Sequence, residues 1–190
     1  QGAMSGAGTL TSYGNGRLKI SGDSTISTVP LWLWNRGTNN VNNNAQVELA
    51  ATVGNAIGGA IQVGNASLGG NGHAVLQLQQ GRVNLNQIKD TVGVTFDGIN
   101  GRWAYMKLMG GNETVESIMD LTSGAVIENR ESETLSTAAT LTINGTSDSR
   151  ISAYLRNNAY NPYASLDPTP DATELTNYNT APLNLAKQGT

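Results

Sequence analysis

No long stretch of this sequence places apolar residues at helical spacing, while period-two alternation returns repeatedly between Gly- and Asn-rich turns. Leu18 and Ile20 alternate with Arg17 and Lys19; Val47 and Leu49 with Gln46 and Glu48; Leu76 and Leu78 with Gln77 and Gln79. The same rhythm runs through Ile61/Val63, Val83/Leu85, Val92/Val94/Phe96, Ala104/Met106/Leu108, Leu141/Ile143 and Ile151/Ala153/Leu155. A strand that alternates in this way buries one face and leaves the other free. The best helical candidate, Glu113–Leu121, is short and ends in Thr122-Ser123-Gly124, so it reads as strand and turn. The chain is therefore all-β.

Many short strands with small polar turns fit a sandwich, a barrel or a β-solenoid. Three features favour the solenoid. Gly and Asn crowd the turns throughout, as expected where every coil bends through positive φ. The inward residues are mostly Leu, Ile, Val and Ala, sizes that stack on themselves from coil to coil. Charged residues are 13% of the chain, against about 25% in a typical domain. Stacking sets like beside like, which like charges resist and Asn or Thr ladders tolerate. At roughly twenty residues per coil the chain supplies about seven or eight coils, a rod of about 35–40 Å at ~4.8 Å per rung. Residues 157–182 break the rhythm with Pro162, Pro168, Pro170 and Pro182, and read as a long irregular loop.

The 190 residues suffice for one domain with a substantial core. The net charge of −3 and the lack of a basic patch argue against nucleic-acid binding. No run approaches the eighteen or so apolar residues of a membrane helix. There are no cysteines, so stability must come from core and backbone pairing. Gln1–Met4 reads as the remnant of an engineered protease site and cloning junction, with a mature N-terminus as the rival reading. Residues 5–190 form the single domain.

Ser5-Gly6-Ala7-Gly8-Thr9-Leu10-Thr11 resembles the start of the autotransporter-associated β-strand repeat. Val94–Gly98, Lys107–Thr114, Gly124–Asn129 and Ala139–Asn144 are similar to the middle of such regions, and Leu183–Thr190 to the lead into a further start. The resemblance covers about two thirds of the chain in patches, and the order of the patches is its most specific aspect. It departs at "SYGNGRLKISGDSTIS", where the family's usual phrase after the first strand is missing, and at 157–182. The resemblance implies a right-handed parallel β-helix within the passenger of a large bacterial surface protein, exported to the cell exterior as stalk or adhesin.

Candidate sites are few. Leu31-Trp32-Leu33-Trp34 as a strand sends Leu31 and Leu33 inward and Trp32 and Trp34 outward, where indoles can stack on sugar rings or a protein partner. The competing reading has them covered by the Asn-rich loop 39–44 or by 157–182. His73 is the sole histidine, and without a nucleophile elbow it is expected in an exposed turn. Glu113, Glu116, Asp120, Glu128, Glu131 and Glu133 could supply an acid–base pair, but a solvated acidic edge is expected instead. Asp167, Asp171 and Glu174 could gather around Ca²⁺ with loop carbonyls, but they show no EF-hand or nonapeptide calcium spacing, and prolines break the loop. Asn65, Asn112 and Asn144 begin glycosylation sequons that the composition alone accounts for.

The leading expectation is a non-enzymatic structural module without cofactor or metal, acting as stalk or adhesive scaffold. A second is a head-to-tail filament, because an uncapped solenoid end exposes strand edges. Gly8, Thr9, Leu10 and Thr11 at one end and Leu183 and Leu185 at the other would then meet, with neighbouring repeats or identical subunits as partners. A third is a carbohydrate-active β-helix enzyme or glycan-binding module.

Overall fold

The structure, a computed structural model, describes residues 3–14, 16–34, 45–67, 72–79, 86–99, 102–129, 137–156 and 182–189. Among them there are fourteen β-strands and no helix. In chain order these are β1 (Leu10–Tyr13), β2 (Gly16–Ile20), β3 (Leu31–Trp34), β4 (Ala45–Leu49), β5 (Ile61–Val63), β6 (Ala74–Leu78) and β7 (Val94–Phe96). Then follow β8 (Ala104–Lys107), β9 (Glu113–Val115), β10 (Ile118–Asp120), β11 (Ala125–Glu128), β12 (Ala139–Ile143), β13 (Tyr154–Arg156) and β14 (Leu183–Lys187).

The strands form three sheets: β1-β3-β5-β7-β10, then β2-β4-β6-β8-β11-β13, then β9-β12-β14. Every strand pair is parallel and in register, and no two consecutive strands pair with each other. The chain thus moves from sheet to sheet and returns one rung higher, a β-solenoid-like arrangement. Where the third sheet has no named strand, the Ile57–Ile88 parallel bridge continues the connection between circuits.

Circuit length varies: register partners on adjacent rungs are 21 residues apart at Leu10–Leu31 and Ala104–Ala125, near the twenty expected, but 30 at Leu31–Ile61 and 33 at Ile61–Val94. Bonded partners on adjacent rungs are 31 residues apart at Arg17–Glu48, 30 at His73–Trp103 and 28 at Arg156–Glu128. The turns between sheets absorb the extra residues, so the largest sheet has six rungs, about 24 Å from first strand to last at ~4.8 Å spacing.

Period two builds the core as columns. Leu10, Leu31, Ile61, Val94 and Ile118 stack in the first sheet, and Leu33, Val63 and Phe96 beside them. In the second sheet Leu18, Val47, Leu76, Met106 and Ile127 form one column, and Ala45, Ala74, Ala104 and Ala125 another. Most of these residues are fully buried, each large one contributing ~1.5–3 kcal/mol. The alanine column is small for a reason. Gly64 and Gly98 bring the neighbouring turns against the Ala104 methyl, and a methyl on Gly124 would overlap the Gly98 carbonyl.

Two side chains replace missing strand pairing at the corners. The Asn129 Oδ1 accepts the Gly110 N–H at 2.8 Å, and its Nδ2 donates to the carbonyls of Thr137 and Pro182. The Gln87 side chain pairs with both backbone groups of Ala51, one circuit away. This is how buried turns satisfy their backbone without a ladder.

The segment Glu113–Leu121 is strand and turn, as expected. Two expectations fail. Ile151 and Ala153 pack against the core, but Leu155 is 45% exposed although it continues the Ile127 column. It lies on the edge strand, and no further rung among the described residues pairs with it. The outward residues Trp103, Tyr105 and Lys107 are buried, because the outer face of the second sheet carries its own cluster of Val75, Trp103, Tyr105 and Val126. The loop 157–182, the 39–44 loop and the Val83/Leu85 strand lie, but for Pro182, outside the described residues.

Candidate functional site

The outer face of the second sheet holds the densest set of ionisable side chains among the described residues. In-register pairing aligns Lys19, Glu48, Gln77, Lys107, Glu128 and Arg156 in one outward column, one from each strand. The adjacent column is Arg17, Gln46, Val75, Tyr105, Val126 and Tyr154. Each carboxylate is clamped by two cations. Glu48 meets Arg17 and, at 3.5 Å, Lys19. Glu128 meets the Lys107 Nζ at 3.2 Å and accepts from the Arg156 Nε at 2.8 Å, with its Nη2 at 2.7 Å.

The two clamps differ in burial. The Arg17 and Lys19 side chains are 55% and 50% exposed, whereas those of Lys107 and Arg156 are 10% and 9%. The Tyr105 ring lies beneath both inner cations, with centroid distances of 5.6 and 5.9 Å, a cation–π arrangement that substitutes for lost hydration.

His73 belongs to this cluster and is buried, not in an exposed turn. Its Nδ1 accepts the Trp103 backbone N–H at 3.1 Å, and its ring meets Tyr105 edge to face at 5.4 Å. Burial, helped by the Lys107 charge, lowers its pKa to about 4, so the ring is neutral at neutral pH. A catalytic relay needs Nδ1–H donated to a carboxylate. Here Nδ1 is the acceptor, and the imidazole serves as a fixed link between rungs.

Of the described acidic residues in this set, only Glu116 lies near solvent. Glu113, Asp120 and Glu128 are buried and lie on three different sheets, so no acid–base pair converges. Glu113 points inward from β9 and accepts backbone N–H bonds from Gln87 (2.8 Å), Ile88 (3.2 Å) and Thr114 (3.2 Å). Burial pushes its pKa up to about 8 against those three donors, and the Asp90 charge adds to the rise. Asp120 accepts from the backbone N–H groups of Thr122 and Ser123, where Ser123 turns through φ 59. Glu116 lies in the β9–β10 turn, where the Ser117 hydroxyl, then that of Ser147, holds its carboxyl below the usual range. Among the described residues no group of three acidic, His or Cys side chains could hold a metal. Glu131, Glu133, Asp167, Asp171 and Glu174 lie outside them.

Trp32 and Trp34 project from the outer face of the first sheet, their rings 5.7 Å apart and tilted by 45°. Trp32 is 43% exposed, and Tyr13, in register with Trp34 on the edge strand, is 66% exposed. Leu31 and Leu33 are buried beneath them. Asn65 and Asn112 spend their side-chain oxygens on the N–H groups of Ser67 and Thr140.

The residues expected to meet end to end lie on edges of different sheets. Leu10 and Thr11 are on β1 in the first sheet, with Gly8 and Thr9 leading into it; Leu183 and Leu185 are on β14 in the third. Met4 packs over the core beside Leu10, and its N–H bonds to Ser24 Oγ at 3.1 Å. Grooves of about 430 and 320 Å³ open there, the second reaching Leu18 and Ile20. At the opposite end Leu185 is 46% exposed, although its register partner Leu141 is fully buried. Sequence reasoning missed the buried outer columns. Their signal was present in Trp103, Tyr105, Val75 and Val126, large residues at positions where a solvated face would carry Thr or Asn.

No family model, curated protein or solved structure matches the chain. Its class follows from the fold: an all-β protein of parallel sheets in a β-solenoid-like arrangement.

Proposed function

We propose that this chain is a non-enzymatic structural module, a right-handed parallel β-helix that holds a stiff shape within a surface-displayed, autotransporter-like bacterial protein. One observation carries the reading. Among the described residues, side chains a catalyst could use are engaged in joining one rung to the next: Glu113 to Gln87 and Ile88, Glu128 to Lys107 and Arg156, His73 to Trp103. Stacked columns distribute stability over many similar contacts, which suits a stalk more than a site. The missing cysteines suit a chain exported unfolded. The test is a turnover screen against acidic polysaccharides with and without calcium, run beside negative-stain imaging. The reading predicts short rods and no product; measurable cleavage would overturn it.

A second reading, a glycan contact, is favoured by the exposed Trp32 and Tyr13, with the half-buried Trp34 beside them, on one end of the first sheet. Aromatic faces of this kind stack on sugar rings. Tryptophan fluorescence titrated with soluble oligosaccharides tests it, and an unchanged spectrum across a broad panel would remove it.

A further inference from the structure

Composition accounts for the number of sequons that Asn65, Asn112 and Asn144 begin, but the fold tells the three apart. A glycosyl acceptor needs a side-chain amide that can enter an enzyme and a hydroxyl, two residues on, that the enzyme can hold.

Asn112 offers neither. Its Oδ1 accepts the Thr140 N–H of the neighbouring strand at 2.9 Å, and Thr114 lies within β9, in register with Thr142. Glu113, between them, is buried and tied to Gln87 and Ile88. Asn65 closes its own turn. Its Oδ1 accepts the Ser67 N–H at 3.1 Å. The intervening Ala66 donates its N–H to Asp97 Oδ2 at 3.1 Å, and its carbonyl accepts from Arg102 Nη2 at 3.4 Å.

Asn144 differs. It follows β12 on the outward phase of the alternation, and both Asn144 and Thr146 are exposed. The anchoring falls on backbone groups and on the middle residue. Asn144 N–H donates to the Val115 carbonyl and Gly145 N–H to the Glu116 carbonyl, each at 2.9 Å, and the Gly145 carbonyl accepts from Lys187 Nζ at 2.7 Å. Only glycine fits there, since a methyl on Gly145 would overlap the Glu116 carbonyl. Among the described residues neither the Asn144 carboxamide nor the Thr146 hydroxyl makes a hydrogen bond. The turn is thus held in place by Gly145 while the two groups an enzyme reads stay unspent.

We propose that Asn144 is a modification site, the acceptor for N-linked transfer of a sugar from an activated glycosyl phosphate, and that Asn65 and Asn112 are not acceptors in the folded chain. In that step Asn144 Nδ2 attacks the anomeric carbon. The new C–N bond forms as the bond from that carbon to the phosphate oxygen breaks. The phosphate leaves with the electron pair, and an Nδ2 proton passes to a base of the transferring enzyme. Asn144 follows a strand of the third sheet, whereas Trp32 is on the first and Glu128 on the second. Acceptance of a sugar there depends on neither functional reading: polysaccharide turnover would sink the structural module and leave this site standing, and an unmodified Asn144 would do the reverse.

The folded protein is incubated in one arm with a soluble N-glycosyltransferase and a nucleotide-linked hexose, and in a second with a membrane oligosaccharyltransferase and a lipid-linked donor. Peptide mass spectrometry reads the added glycan at each asparagine, and synthetic peptides spanning the three sequons give the unfolded reference. In the folded chain Asn144 should be modified about tenfold or more ahead of Asn65 and Asn112, the factor that ~1.4 kcal/mol of local opening gives. Among the peptides that preference should vanish. The arm that transfers identifies the donor. Thr146→Ser should keep transfer and Thr146→Ala should abolish it; the side chain is exposed and unbonded, so both variants fold. Asn144 unmodified in both arms, equal modification of all three sites in the folded chain, or the same preference among the peptides would overturn the proposal.

Discussion

The Glu113 carboxyl group accepts the backbone N–H of Gln87, 26 residues earlier in the chain, at 2.8 Å, and it does so from inside the core. That contact makes a buried acid part of the rung-to-rung pairing, and it ties stability to pH. Burial raises the Glu113 pKa from 4.5 to about 8. Between those values the unfolded chain has released a proton that the folded chain keeps, so this group's stabilisation is full below pH 4.5 and lost as pH rises through about 8. His73 acts in the opposite sense. Its pKa falls from 6.5 to about 4, so its stabilisation is full above pH 6.5 and lost as pH falls towards 4.

The two slopes, each about 1.4 kcal/mol per pH unit, oppose each other between pH 4.5 and 6.5. Unfolding free energies from urea titrations should therefore be nearly flat there and drop by about 2 kcal/mol from pH 6.5 to 8. Glu113→Gln should remove that drop and leave stability rising from pH 4 to 6.5. His73→Gln should leave stability falling steadily from pH 4.5. Parallel profiles in wild type and both variants would contradict the assignment.

Glu128→Gln and Glu48→Gln remove the same clamp at different depths. The first removes the carboxylate shared by two cations that are about nine-tenths buried, and should cost about 3–5 kcal/mol. The second leaves Arg17 and Lys19 free to rehydrate, and should cost about 1 kcal/mol or less. Thermal or urea unfolding of the pair checks the ratio.

Gly124→Ala tests the alanine corner. Gly124 is not at positive φ, yet its new methyl would overlap the Gly98 carbonyl, which is backbone and cannot swing aside. The expected loss is about 1–3 kcal/mol or more. Gly14→Ala is the contrast: φ is 91° there but the space is open, so the penalty is conformational only, about 1 kcal/mol.

Trp32→Ala should change stability by no more than about 0.5 kcal/mol, because the ring is half exposed over an intact Leu31 and Leu33 core. If the first sheet contacts a glycan, the same substitution should abolish that binding. A large loss of stability would mean that Trp32 packs against more than Trp34.

Much of the fold was legible because period two is a direct record of which face is buried. Leu31, Leu33, Val47, Leu49, Leu141 and Ile143 all lie inward as their alternation requires. Circuit length was not legible, since turns rich in Gly and Asn carry no signal of how many residues separate one rung from the next. The burial of His73, Glu113 and Glu128 was hidden for a different reason. Polarity predicts exposure only for isolated groups. These three are held by partners 25 to 30 residues away, such as the Ile88 and Trp103 N–H groups and Arg156, which alternation cannot reveal. The exposed Leu155 reads as core because each strand looks alike; its edge position depends on the sheet order alone.

The central claim is the in-register parallel stacking of distant strands, and the absence of cysteine allows it to be tested cleanly. Gln62 and Thr95 are register partners on the outer face of β5 and β7. Neighbouring strands lie ~4.8 Å apart, within the Cα separation a disulfide spans. The double variant Gln62→Cys/Thr95→Cys should oxidise almost completely to an intramolecular disulfide in the native state. Gln62→Cys/Thr114→Cys, which pairs positions on different sheets, should not. Equal cross-linking of both pairs, or none in the first, would contradict the stacked architecture and everything built on it.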